Sequence, residues 1–184
     1  MRIPKLALLS LAALLFANGS AFAITVKKRT EAPGLPPEIW AIVGDFCAIK
    51  TWHPAAADCV IEKDGDVVYR TITLKDGGKI KEKLTSKDDL SYSYEIVESP
   101  LPVKNYKSKL WLELDDEPDR TVIYWQSDFD ANGASDDDAK AKITGILADG
   151  VKGIKEKAIA AHDAKEAAAG KTPDGDKGSE DDDK

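Results

Sequence analysis

Between residues 59 and 129 the chain carries six segments of alternating or β-branched apolar residues, separated only by short turns. This feature constrains the fold most. Parallel neighbours need a crossover of a dozen or more residues, so consecutive segments here can pair only as antiparallel strands. The segments are 59–63, 67–74, 80–85, 90–98, 104–114 and 120–129. Asp64-Gly65 and Asp76-Gly77-Gly78 are strong hairpin signals, because glycine supplies the positive φ such turns require. Residues 24–30, Ile-Thr-Val followed by basic residues, add a strand at the start. Alternation places Val68, Arg70, Ile72 and Leu74 on one face of their strand. It likewise separates Tyr106, Leu110 and Leu112 from Lys109, Trp111 and Glu113. The last segment is apolar on both faces, which predicts cover on both.

A sheet with one apolar face needs a layer over it, and two helical stretches supply one. The long one starts at Ser135, a good N-cap, with Asp136, Asp137 and Asp138 at the positive end of the helix dipole. Ile143, Ile146, Leu147, Gly150, Val151, Ile154 and Ala158 form its apolar stripe. Gly145, Gly150 and Gly153 each weaken a helix by about 1 kcal/mol relative to alanine, which predicts close packing on the sheet. The other stretch, residues 36–54, reads as a broken helical hairpin. Pro37 fits a first turn, Gly44-Asp45 interrupts it, and His53-Pro54 stops it.

These stretches carry a resemblance. Pro36 and Trp40, Asp45-Phe46 and Trp52-His53-Pro54 match a recurring helix, corner and stop. Arg70, Ile72, Leu74 and Asp76-Gly77 match a hairpin motif, and Glu82 and Leu84 the strand after it. Leu101-Pro102-Val103 with Tyr106, and Trp125 with Phe129, complete the order. Together, from about residue 24 to 160, they resemble the START/Bet v 1 superfamily. More narrowly they resemble its SRPBCC polyketide cyclase/dehydrase-like family, and within that the exported MxaD-like subgroup. The resemblance implies an α+β helix-grip fold. A curved seven-stranded antiparallel sheet would wrap around a long C-terminal helix, with two short helices after strand one and a cavity between helix and sheet.

The N-terminus reads as a signal peptide, residues 1–23. Arg2 and Lys5 precede an apolar run too short to span a bilayer, and Ala21-Phe22-Ala23 is a small-x-small cleavage site. Periplasmic localisation follows, with no stable membrane anchor. The expected domain is residues 24–162, and residues 163–184 read as a disordered acidic and lysine-containing tail. The 184 residues carry a formal net charge of −7, and loss of Arg2 and Lys5 leaves the rest more acidic. That argues against nucleic acid as a partner. Cys47 and Cys59 are the two cysteines. In an oxidising compartment a structural bridge is the first expectation, ahead of two buried thiols and of a redox pair.

Trp52, Tyr92, Tyr94, Tyr106, Trp111, Tyr124 and Trp125 are candidate cavity-wall aromatics, with Trp125 the first choice. Core packing is the competing explanation for each. His53 has the pKa of a general base, but no motif places an orienting partner beside it, so it reads as a helix stop. Asp128, Asp130 and Asn132 resemble the start of a calcium loop, yet Ala139 stands where its bidentate glutamate belongs. No metal, cofactor or catalytic residue is therefore assigned. Three functions compete. The first is a periplasmic non-catalytic accessory or small-ligand-binding protein. The resembled subgroup implies help to a methanol-type quinoprotein dehydrogenase and its cytochrome. The second is a carrier of an apolar ligand or lipid, and the third a cyclase/dehydratase-type enzyme.

Overall fold

The structure is a computed structural model and describes residues 24–170. The proposed signal peptide and the chain beyond residue 170 lie outside the described residues. The elements run β1 (Ile24–Pro33), α1 (Pro36–Val43), α2 (Ile49–Trp52), β2 (Ala56–Asp64), β3 (Val67–Leu74), β4 (Lys79–Asp88), β5 (Ser91–Glu98), β6 (Val103–Leu114), β7 (Arg120–Ala131) and α3 (Asp136–Ala168). Gly65 and Gly77 take positive φ in the first two hairpin turns, as their sequence signals predict.

The seven strands form one antiparallel sheet in the order β1-β7-β6-β5-β4-β3-β2. Strands β2 to β7 meander between neighbours. Only β1 is displaced, and α1 and α2 carry the chain from its edge of the sheet to the other. Irregular pairing at Ala56/Asp58, Lys81/Glu82, Leu84/Ser86 and Lys104/Lys107 bends the strands. The sheet therefore curves around α3, which is the helix-grip arrangement.

Helix α3 packs mainly on β1 and β7. The Ser135 hydroxyl accepts from the Asp138 amide at 3.1 Å and caps it. Its stripe of Ile143, Leu147, Val151, Ile154 and Ala158 is buried. Two of its glycines are contact points. A β-carbon at Gly150 would lie 2.1 Å from the Trp125 ring, and one at Gly153 1.9 Å from the Trp52 carbonyl oxygen. Gly145 faces open space, so close packing does not explain it. The helix runs on through Ala168, so residues 163–168 are helical where the sequence suggested tail. Alanine, lysine and glutamate there are strong helix formers. Lys165 also pairs with Glu38 of α1 at 2.6 Å.

Cys47 and Cys59 are joined, with Cα atoms 5.4 Å apart. The bridge ties the segment between α1 and α2 to β2. Closing so short a loop contributes about 3 kcal/mol in the chain-entropy account.

The outer face of β7 corrects one expectation. Among the described residues no second layer covers it. Tyr124 instead stacks on Trp111 of β6, ring centres 4.9 Å apart, and the Lys27 ammonium sits over both rings. A cross-strand aromatic pair shielded by a lysine stem satisfies that apolar surface without another element.

Candidate functional site: a cavity under the long helix

Because α3 rests on the β1–β7 side, the opposite half of the curved sheet stands away from it. A cavity of about 420 Å³ remains there. Ile72 and Leu74 of β3, Ile80 of β4 and Ile96 of β5 form its sheet wall. Ile143 and Ile146 of α3 roof it, and Ile49 closes one end. Tyr94, Tyr106 and Trp125 line it too, and they are three of the predicted wall aromatics.

The other predicted aromatics lie elsewhere. Trp52 is buried, meets Trp125 edge-on at 5.6 Å, and lines a separate groove between α2 and α3 rather than this cavity. Its indole nitrogen has no hydrogen-bond partner among the described residues. Tyr92 packs against Phe46 and Trp40. Trp111 and Tyr124 are on the outer face and cannot be walls. Neighbours in one strand point to opposite faces, so Trp125 facing in turns Tyr124 out. The cross-strand partner of Tyr124, Trp111, faces out with it.

Polar groups meet at the floor. The Trp125 indole N–H lies 3.0 Å from both the Tyr94 hydroxyl and the Ser108 hydroxyl. Ser108 donates to the Gln126 carbonyl at 2.7 Å, so its oxygen is left to accept from Ser127 at 2.9 Å. Ser127 in turn pairs with the Tyr106 hydroxyl at 2.6 Å. Burial pushes the Tyr94 phenol well above its ordinary value, and that of Tyr106 upward too. Both are therefore neutral, and the chain of hydroxyls fixes the aromatic walls.

The sequence places Arg70 and Glu82 in motifs but gives them no role; among the described residues they are the one ion pair at this depth. Arg70 is fully buried, and its Nε donates to Glu82 Oε2 at 2.5 Å. Its Nη1 donates to the Phe46 carbonyl, and the Phe46 ring lies 4.0 Å from the guanidinium. Burial pushes the Glu82 carboxyl up, against the pull of Arg70. Glu82 also lines the cavity, while Arg70 Nη2 is buried with no hydrogen-bond partner among the described residues. A signal for the pair was present. Both residues stand at apolar positions of alternating strands, and they face each other in the β3–β4 register.

His53 lines the cavity beside them. The Ala55 amide donates to its Nδ1 at 3.1 Å, so that nitrogen carries no proton. Its Nε2–H donates to the Ile146 carbonyl, also at 3.1 Å. Burial lowers its pKa, outweighing that hydrogen bond. With both nitrogens engaged by backbone, the ring joins α2 to α3 and has no lone pair for a substrate proton.

The acidic loop is engaged with neighbouring strands. Asp128 accepts from Thr25 and Gln126, and Asp130 accepts from Asn105 at 2.7 Å. The Asn132 amide donates to the Pro102 carbonyl. Among the described residues no group of three or more His, Cys, Asp or Glu is placed to hold a metal ion. No helix among them is long and apolar enough to cross a membrane.

Comparison with known proteins agrees with this architecture. Residues 23–158 match the family described as polyketide cyclase / dehydrase and lipid transport. No curated protein matches the chain. Among solved structures, the protein XoxI from Bacillus cereus is 26% identical with a TM-score of 0.69, over 73% of this chain and 94% of that one. The Zhui aromatase/cyclase from Streptomyces sp. R1128 is 14% identical with a TM-score of 0.61, over 82% and 99%. A START superfamily protein from Mycobacterium smegmatis is 15% identical with a TM-score of 0.60, over 73% and 96%. The last two likenesses are of fold alone.

Proposed function

The chain belongs to the polyketide cyclase/dehydrase and lipid-transport family, and from that premise we propose that it is an exported, non-catalytic binding protein. It holds an apolar small molecule between α3 and strands β3 to β7. The observation that carries this reading is the cavity of about 420 Å³, within the usual range for small-molecule sites and walled mostly by isoleucines and aromatic rings. The engaged state of His53 favours binding over general-base chemistry. The Cys47–Cys59 bridge suits an oxidising compartment, and the N-terminal pattern of Arg2, Lys5 and Ala21-Phe22-Ala23 suits export to the periplasm.

The test is native mass spectrometry of the purified protein, with tryptophan fluorescence against a panel of lipids and quinones. Trp125 stands in the wall, so an occupied cavity changes its emission. No adduct and no fluorescence change across the panel would reject the binding role.

Assistance to a periplasmic quinoprotein dehydrogenase is the second reading, favoured by the same N-terminal pattern and bridge. Under it, co-purification with such a dehydrogenase or its cytochrome is expected. Reconstituted dehydrogenase activity that is the same with and without this protein would reject it.

A further inference from the structure

The mouth of the cavity is cationic, although the chain as a whole carries a net charge of −7. Lys75, in the β3–β4 turn, and Lys142 of α3 stand at the lining, and both are exposed. Asp76 is the acid beside them, and its carboxylate accepts from the Gly78 amide at 2.9 Å. Lys75, His53 and Ala56 also line a second, larger groove of about 820 Å³ between α2 and α3. That groove adds Lys50, Lys152 and Lys157, against Asp149 and Glu156. Lys50 is paired with Asp58 at 3.1 Å, and Lys152 reaches Glu156 only at 3.9 Å on the solvent side. Lys75, Lys142 and Lys157 make no ion pair among the described residues. An apolar cavity thus adjoins, at Lys75, a groove with an excess of lysines.

We infer that the ligand is a single-chain amphiphilic anion, its chain in the isoleucine-walled cavity and its carboxylate or phosphate head over Lys75. The inference rests on the binding reading above and narrows it to a ligand class. Three features support it together. The cavity walls are mostly isoleucine and aromatic ring, and the Tyr94 and Tyr106 hydroxyls are already hydrogen-bonded to Trp125 and Ser127, which suits a hydrocarbon chain. The rim offers cations whose ammonium groups are not already consumed, and charge-assisted hydrogen bonds to an anion are the strong ones. Lys75 lines both spaces, so its ammonium stands where the cavity meets the lysine-rich groove. At the inner end it is Glu82, not Arg70, that lines the cavity, and its carboxylate repels an anionic head and directs it outward. An exposed lysine pair at a rim gives binding that weakens with salt.

The experiment titrates the protein with dodecanoate, dodecyl phosphate and dodecanol, following tryptophan fluorescence and heat, for wild type and for Lys75→Gln and Lys142→Gln. Both lysines are exposed, so both variants are expected to fold. Wild type should bind at least one of the two anions about tenfold or more tighter than the alcohol, about 1.4 kcal/mol. Added salt should narrow that margin. Lys75→Gln should weaken anion binding far more than alcohol binding. The order of the two anions identifies the head as carboxylate or phosphate. Alcohol binding as tight as either anion, or an anion affinity unmoved by Lys75→Gln, overturns the anionic head and leaves the cavity reading standing. No binding of any probe overturns both.

Discussion

Protonating His53 requires giving up one of its two backbone hydrogen bonds, because the Ala55 amide needs the Nδ1 lone pair. Burial opposes the charge further, as does nearby Arg70, while Asp149 and the bond to Ile146 act the other way. The net result is a folded-state pKa below the ordinary 6.5. Between those two values the unfolded chain binds a proton that the folded chain does not. Stability therefore rises with pH across that window, is complete above about 6.5, and is lost as acidification carries the protein down toward the folded-state pKa. Thermal midpoints measured from about pH 7 down to about pH 5 should fall, and His53→Gln should flatten that fall. Equal slopes in the two proteins would show that other groups set the acid response. The Arg70–Glu82 pair is a different case at this scale. Arg70 stays charged throughout, its pKa raised because Glu82 and the flanking rings outweigh desolvation.

Helix α3 turns glycine spacing into a seating pattern. Gly153 admits the Trp52 carbonyl and Gly150 admits the Trp125 ring, whereas Gly145 touches nothing within 4 Å. Alanine at Gly145 and at Gly153 should therefore give opposite signs. Gly145→Ala should stabilise by about 0.5–1 kcal/mol through helix propensity. Gly153→Ala should destabilise by about 1–3 kcal/mol, since its obstacle is backbone and cannot rotate away. Urea unfolding of the two variants measures both, and a stabilised Gly153→Ala would mean the helix does not sit where the structure has it. The β2 to β7 meander and the capping at Ser135 were legible because periodicity and turn chemistry are local, whereas the place of β1 beside β7 and the difference between Gly145 and the two contact glycines were not. Which face of β7 turns inward was not legible either. Tyr124 and Trp125 are equally apolar in sequence, and only the position of α3 decides between them. Once Trp125 is inside, alternation alone removes Trp111 and Tyr124 from the wall. In the sequence Arg70 and Glu82 read only as motif residues, without a role, for a related reason. A charge at an apolar strand position looks like noise until the hairpin register pairs it with its opposite.

At the scale of the molecule, α3 is held unevenly. Its middle is seated on Trp125 and Trp52, and its far end is tied to α1 through Lys165 and Glu38. The stretch carrying Lys142, Ile143 and Ile146 lies over the cavity instead, next to the unpacked Gly145. Fewer buried contacts mean a lower free energy of local opening, so amides there should exchange faster than those from about residue 147 to 154. A ligand that fills the cavity supplies the missing contacts. It should slow exchange most in residues 142–146 and in the facing parts of β3 to β5, beyond the smaller slowing that global stabilisation gives β1. It should also raise the thermal midpoint, because a ligand bound only to the folded chain at about a hundredfold its Kd adds about 2.7 kcal/mol. For a domain of this size that is about 5–10 °C. The midpoint alone does not locate the ligand, since any native-state binder raises it. The exchange pattern does. Protection confined to the outer face around Lys27, Trp111 and Tyr124 would move the binding surface to the other side of the sheet. Uniform protection would point to global stabilisation without a ligand under α3.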